Sequence, residues 1–501
     1  MDGLNTTQSR KCQGLRGDKT FRGDRPTVWG LTAETIAKSG IQGYADKIML
    51  SNYAAHSPRL AAYQLLTRLS GSDLHADDLV DQELSRGLLQ GPDRGLFSEL
   101  VFGVLRQQGT LDHYLAQLVD QPLPKLQRPV LLLLRLGLYQ LRYLDRVPPH
   151  AAVHESVELA KQLCPKASGL VNGVLRAALR RHATLTLPDR HVAPAAWLAA
   201  AYSMPDWLAQ QWLQQLGLSE AEMLAAATLE PPPLTLRTNT LRTTRTELLT
   251  LLAGRGIAAE PCRYASEGVR LLEGRFVPEL PGFSDGLFAV QDEASQLVAH
   301  LLGPQPGEKV LDVCAAPGGK ATHLAQLMQD QGVLVASDLS QRKVHRIEQN
   351  AGRLGIDCLH LQVTDALQPE YQQGRQFDRV LLDAPCSGLG VIRRNPEAKW
   401  RLQPDSFARF ADRQSLLLRQ VAPLLRPGGV LVYATCSTAV AEDEAVIEDF
   451  LSCHPEFVVE NGAQVCPAWA ELFTPAGCLR TWPHRQGCDG FFAARFKRIA
   501  V

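Results

Sequence analysis

Five short apolar runs lie between residues 309 and 433: Lys309–Val313, Val333–Ser337, Leu359–Val363, Val380–Leu382 and Val430–Tyr433. They are dominated by Val and Leu and are too short for ordinary helices, so they read as strands. The first leads into a helical stretch that contains Thr322, His323, Leu324 and Leu327. Strands of this kind, alternating with helices, predict a parallel sheet covered on both faces. In such a sheet the carboxyl ends of the strands line one crevice, where ligands bind. The residues that follow each run are therefore the ones to inspect for chemistry.

The first run is followed by Cys314-Ala315-Ala316-Pro317-Gly318-Gly319-Lys320. Small residues there let the backbone approach a ligand closely. The turn matches neither G-x-G-x-x-G nor G-x-x-x-x-G-K-[ST], so neither a dinucleotide nor a nucleoside triphosphate is the best fit. The second run ends at Asp338, where a carboxylate suits a ribose diol. The third ends at Thr364-Asp365-Ala366, placed to meet an adenine amino group, and the fourth at Asp383. A lone Asp at a strand end is often a helix cap. Three in succession point instead to S-adenosylmethionine as methyl-donor cosubstrate.

The fourth and fifth runs lead into Asp383-Ala384-Pro385-Cys386-Ser387-Gly388 and Ala434-Thr435-Cys436-Ser437. Two thiols distant in sequence are thereby expected to face one ligand. A cysteine taken alone is usually a small buried hydrophobe, and reactivity requires a lowered thiol pKa. Lys320 and the pair Arg393-Arg394 are candidates for positive charge or phosphate contact.

At roughly 150 residues per domain, 501 residues suggest about three domains, and 45% hydrophobic with 21% charged residues is ordinary for a globular chain. No uncharged apolar stretch is long enough to span a membrane. The formal net charge is zero, so any nucleic-acid-binding surface must be a local patch. The eleven cysteines show no C-x-x-C spacing, which argues against a zinc site or a disulfide framework and for a reducing cytoplasm. No metal is expected.

Residues 1–50 lack helical or strand period and read as a disordered or mis-started extension. Residues 51–190 read as helical, with Leu60, Tyr63, Leu66 and Leu69, then Phe97, Leu100, Val101, Val104 and Leu105, at helical spacing. Pro148-Pro149 ends a strongly apolar helix over 130–143. Arg135, Arg142 and Arg146, and separately Arg176, Arg180, Arg181 and His182, are candidate RNA contacts or simply favourable helix-end charges. Residues 191–290 read as a linker with a short helical segment, whose Trp197, Tyr202, Trp207 and Trp212 are core more readily than base-stacking groups. A small α+β unit follows Pro231-Pro232-Pro233. Residues 291–501 form the catalytic region.

The motifs Cys314–Lys320, Asp383–Gly390 with Arg393-Arg394-Asn395-Pro396-Glu397, and Arg426–Gly429 through Tyr433–Ser437 together resemble those of the RNA cytosine-C5 methyltransferase family. The whole-chain order is similar to its RsmB/Fmu/Sun branch. Segments Phe97–Arg106 and Gly169–Arg176 resemble a NusB-like domain. The resemblance implies a multidomain chain: an all-α NusB-like N-terminal domain, a small α+β RRM-like middle domain, and an α/β Rossmann-like SAM-dependent methyltransferase domain. It implies that Cys436 adds to carbon 6 of a cytosine, which makes carbon 5 nucleophilic. Asp383 is then the candidate to hold a proton at N3, and Cys386 the base or relay that removes the carbon 5 proton. The implied substrate is 16S ribosomal RNA at cytosine 967, before subunit assembly is complete and with no obligate protein partner. Transfer RNA, or a non-catalytic NusB-type RNA-binding role, are the alternatives.

Overall fold

The apolar stripe at 60, 63, 66 and 69 winds into helix α1 (Pro58–Leu69) and is buried along one face. The structure is a computed structural model that describes residues 57–499 apart from Asp73, Arg275 and 369–373; the expected extension over residues 1–50 lies outside the described residues. Helices α2 (Ala76–Ser85), α3 (Pro92–Ala116), α4 (Arg128–Tyr143), α5 (Pro149–Leu163) and α6 (Ser168–Arg180) complete an all-α bundle. α1, α3 and α5 each open on a proline, whose missing N–H is no loss in a first turn. α3 and α4 approach so closely that a Cβ on Gly103 would lie 2.0 Å from the Tyr139 ring.

In the first basic cluster Arg146 is exposed, whereas Arg135 and Arg142 are engaged by other side chains. Arg135 makes two hydrogen bonds to Asp112, at 2.7 and 2.6 Å, and Arg142 lies 3.9 Å from the centroid of the Tyr114 ring. Both guanidiniums are engaged within the bundle because the neighbouring helix α3 supplies a carboxylate and an aromatic face. Arg176, Arg180, Arg181 and His182 are exposed.

The segment expected to be a short helix is two helices, α7 (Pro194–Ala201) and α8 (Asp206–Leu229). Gly217 interrupts α8 with a left-handed φ of 74°, which breaks the apolar period and hides its length in the sequence. Trp212 is buried, and Trp197, Tyr202 and Trp207 pack against the same cluster, as core residues. Strands β1 (Leu234–Thr238), β2 (Ala259–Pro261), β3 (Gly268–Leu271) and β4 (Phe288–Val290) then form an antiparallel sheet in the order β2-β3-β1-β4. Helix α9 (Arg245–Ala253) begins with a capping box in which Thr244 and Glu247 satisfy each other's backbone N–H.

The C-terminal part is built on an eight-stranded sheet. Its strands are β5 (Lys309–Val313), β6 (Val333–Asp338), β7 (Leu359–Val363), β8 (Phe377–Asp383), β9 (Leu425–Thr435), β10 (Phe457–Val459), β11 (Leu479–Thr481) and β12 (Phe491–Arg498). The order is β10-β12-β9-β8-β5-β6-β7, with β11 paired to β12. β5 to β9 are parallel, and β12 returns antiparallel to β9. Alternate residues serve opposite cores. Val310, Leu381, Val432 and Ala434 join one cluster, and Leu311, Val380, Leu382, Leu431 and Tyr433 the other. The strand order reverses between β5 and β8, so a crevice opens at their carboxyl ends.

The bundle is tied to this part by direct contacts. The Ala76 N–H donates to Glu397 Oε1 at 3.1 Å, and Lys399 Nζ donates to the Arg106 carbonyl at 3.2 Å. Among the described residues no helix is long and apolar enough to cross a membrane.

Candidate active site

Sheet register brings the two thiols together. Asp383 pairs with Ala434 across β8 and β9, and Ala384 N–H donates to the Ala434 carbonyl at 2.8 Å. Cys386 and Cys436 therefore leave adjacent parallel strands at nearly the same height. Their Sγ atoms lie 3.2 Å apart. The hydrogen bond with Cys436, and then burial, push the Cys386 thiol well above its ordinary value. Cys386 holds its proton at neutral pH, and the two sulfurs share one hydrogen bond.

Lys320 reaches this point from the helix that follows β5, α10 (Gly319–Leu327). Its Nζ donates to Asp383 Oδ2 at 2.7 Å and lies 4.9 Å from the Phe491 ring centroid. Burial opposes the ammonium charge, but Asp383 outweighs it and raises Lys320 above its ordinary value; Cys436 adds to the same effect. Lys320 thus sits within electrostatic reach of both the carboxylate and the proposed nucleophile.

The turn after β5 is shaped closely around its surroundings. Cys314 has a left-handed φ of 60°, and burial pushes its thiol up to about 12. Gly318 has φ 100° and faces Ile347, so a side chain there would be strained and crowded. Ala315 is buried, Ala316 half-buried and Pro317 exposed. Asp338 accepts from Ser340 N–H at 3.2 Å and Ala316 N–H at 3.4 Å. Asp365 accepts from Leu367 N–H at 3.0 Å. Both aspartates thus bond the backbone N–H two residues on, as in an Asx turn, and Asp338 also steadies the Ala316 turn.

Asp312, the residue before the last of β5, has no role in the sequence reading, where it falls inside the Lys309–Val313 run. It is fully buried, and neither carboxyl oxygen has a hydrogen-bond partner among the described residues. Burial, with Asp383 nearby, pushes its carboxyl well above the usual range. An orphaned buried acid beside a tight glycine turn fits a cationic ligand group such as the ammonium of S-adenosylmethionine.

The middle sheet also contributes. Arg237 on β1 is fully buried and reaches across to α10, donating to the Gly319 carbonyl at 2.6 Å and the Thr322 hydroxyl at 3.0 Å. Burial lowers its pKa to about 9, which leaves it charged at neutral pH.

Arg393 and Arg394 are not free to meet phosphate, contrary to expectation. Arg393 Nε pairs with Asp489 Oδ1 at 3.0 Å; Arg394 pairs with Asp489 Oδ2 at 2.5 Å and Asp292 Oδ2 at 2.8 Å. The reason is electrostatic: Asp489 is buried, and a buried carboxylate needs paired charge. The two arginines fasten the Cys386 loop to the end of the chain.

One group with metal-ligand chemistry occurs among the described residues: Glu267, His300 and His323. Both imidazole Nε2 atoms are directed at the same Glu267 oxygen, at 2.8 and 2.5 Å. His323 Nδ1 is buried without a partner, whereas a metal-bound histidine ordinarily donates from its second nitrogen. The three close on one another as a hydrogen-bonded clasp between the middle sheet and the catalytic part.

Comparison with known proteins agrees with this architecture. Residues 299–497 match the family model for 16S rRNA methyltransferase RsmB/F, residues 56–180 the NusB family, and residues 204–277 the RsmF/B-like ferredoxin-like domain. The probable ribosomal RNA small subunit methyltransferase B of Bacillus subtilis (strain 168) is 39% identical over 445 residues, covering 88% of this chain and 99% of that one. The ribosomal RNA small subunit methyltransferase B of Serratia proteamaculans (strain 568) is 40% identical over 412 residues, covering 81% and 91%. The crystal structure of PH0851 superposes with a TM-score of 0.74 at 25% identity, over 89% of this chain and 99% of that one. With three domain models in the same chain and relatives matched over nearly their whole length, the chain belongs to the RsmB/F family of 16S rRNA methyltransferases.

Proposed function

We propose that this protein methylates carbon 5 of a cytosine in 16S ribosomal RNA, at the family target cytosine 967, before subunit assembly is complete. S-adenosylmethionine, when bound, supplies an electrophilic methyl group. The turn Cys314–Lys320 with Asp338, Asp365 and Asp383 is the donor site, joined by Asp312. Membership of the family supports RNA as substrate. The observation that carries the chemistry is the 3.2 Å contact between Cys386 and Cys436 beside the Lys320–Asp383 pair.

In this scheme Cys436 attacks carbon 6 as the thiolate. Asp383, with Lys320 as the source of its proton, neutralises N3 as charge develops there. After methylation the carbon 5 proton passes to Cys386 sulfur, Cys386 passes its own proton to the departing Cys436 sulfur, and the carbon 6–sulfur bond breaks. N3 returns its proton through Asp383 to Lys320 as the ring is restored, so protons balance, and a sulfur–sulfur contact suits such a relay. The target base must leave its stack to present carbons 5 and 6.

Cys386→Ala tests the assignment. It is expected to accumulate a protein–RNA adduct that survives denaturation and disappears when Cys436 is also replaced. Adduct persisting in the double variant reverses the roles.

A further inference from the structure

Glu442 is fully buried in the turn after β9, and its carboxylate accepts from four donors. Oε1 receives the Ser387 backbone N–H at 2.8 Å and the Gln414 side-chain amide at 3.1 Å. Oε2 receives the Ser437 hydroxyl at 2.6 Å and the Ser387 hydroxyl. The two hydroxyls are 3.1 Å from each other. Ser387 follows Cys386 in the chain, and Ser437 follows Cys436. One carboxylate therefore grips the residue next to each thiol. The grip is itself anchored, since Tyr433 Oη donates to the Glu442 carbonyl at 2.5 Å. Gly390 N–H adds a direct link between the loops by donating to the Cys436 carbonyl at 2.9 Å.

A carboxylate has about four acceptor sites. Here all are used, and on two loops rather than one. Burying a carboxylate is unfavourable unless it is fully hydrogen-bonded, so the arrangement resists drift of either loop. Ordinary packing would hold each loop against the sheet separately. This carboxylate holds them against each other.

We infer that Glu442 is a positioning residue that sets the separation of the Cys386 and Cys436 sulfurs by clamping Ser387 to Ser437. Its meaning for catalysis rests on the two-thiol reading proposed above; its geometry does not. Displacing one sulfur by an ångström lengthens the proton relay while leaving donor binding alone, because the four hydrogen bonds of the Glu442 carboxylate go to Ser387, Gln414 and Ser437 and none to the Cys314–Lys320 turn.

The experiment uses the full-length protein and three variants: Glu442→Gln, Glu442→Ala and Ser437→Ala. The rate at which diamide closes a Cys386–Cys436 disulfide, followed by peptide mapping, reads the sulfur separation without RNA or donor. Release of the RNA adduct is then timed in the same proteins. Closure is expected to slow in the order Ser437→Ala, Glu442→Gln, Glu442→Ala. Adduct release in Glu442→Ala is expected to slow about 100-fold, the scale of a one-ångström misplacement, with donor affinity unchanged. Glu442→Gln keeps size and one carbonyl oxygen and so rescues part of the loss. Should Glu442→Ala fail to fold, Glu442→Gln and Ser437→Ala decide. A merely structural role would lower melting temperature but leave closure per folded molecule at the parent rate. Parent-like closure in Glu442→Gln and Ser437→Ala, or no closure in the parent, overturns the inference. Slowed closure in variants of a parent that forms no RNA adduct upholds the clamp and removes the two-thiol scheme instead.

Discussion

Lys320 Nζ and Asp383 Oδ2 lie 2.7 Å apart, although one follows β5 and the other ends β8. The pair joins the donor turn to the strand that delivers Cys386. Lys320→Met is expected to leave the protein folded and to reduce methyl transfer about 100-fold or more, the usual weight of a proton-handling group. Incorporation of tritium from labelled S-adenosylmethionine into 16S rRNA measures it. Parent-like transfer would remove the pair from the proposed chemistry.

Arg237→Met tests the link from the middle sheet to the donor turn. The substitution removes the buried guanidinium that donates to the Gly319 carbonyl and to the Gln291 side chain, a loss of about 1–3 kcal/mol of stability. Donor affinity is expected to fall while the KM for RNA holds. Calorimetric titration and thermal melts separate the two effects.

Gly390→Ala addresses the packing of the Cys386 loop. A Cβ on Gly390 would lie 1.9 Å from the Gly490 carbonyl oxygen, so the loop and the end of β11–β12 must part. The expected cost is about 1–3 kcal/mol or more, with loss of adduct formation. A melting curve that matches the parent would contradict the close approach.

The Glu267 clasp makes a prediction about acid. Burial lowers His323 from 6.5 to about 3. The unfolded chain therefore takes up a proton below 6.5 that the folded chain refuses, and the folded state loses stability as pH falls. Burial of Glu267 is outweighed by hydrogen bonds from His300 and His323, which hold its carboxyl below the usual range; its contribution is likewise lost in acid. Asp443 titrates in the opposite sense, because burial, against the pull of Arg480, raises it from 3.8 to about 7. The difference between parent and His323→Gln cancels Asp443. That difference is expected to favour the variant by about 1.4 kcal/mol more for each pH unit between 6.5 and about 5. Chemical denaturation at several pH values checks the slope, and a pH-independent difference would refute it.

Apolar runs ending in Asp, Cys or Gly were legible because strand burial and turn chemistry are local and leave their mark in a few consecutive residues. Lys309–Val313 and Leu359–Val363 are strands over those bounds. The helical stripes at 60–69 and 97–105 are buried as their spacing required. Helix α8 was read too short because a single left-handed glycine interrupts its period. Charge was harder to read. Arg135, Arg393 and Arg394 looked like RNA-facing groups, yet each is spent on a carboxylate that lies far along the chain, Asp112 in one case and Asp489 in the others.

The sequence by itself determined which residue types stand at the strand ends, and with them the family and the candidate thiols. Tertiary structure alone decided how those residues meet. The register of Asp383 against Ala434 put two sulfurs in contact, and Glu442, in no motif, gained its place only when both loops closed around it. The physical reason is that hydrogen-bond partners and charge pairs are chosen by proximity in the folded chain, whereas apolar period and turn residues act through neighbours in sequence.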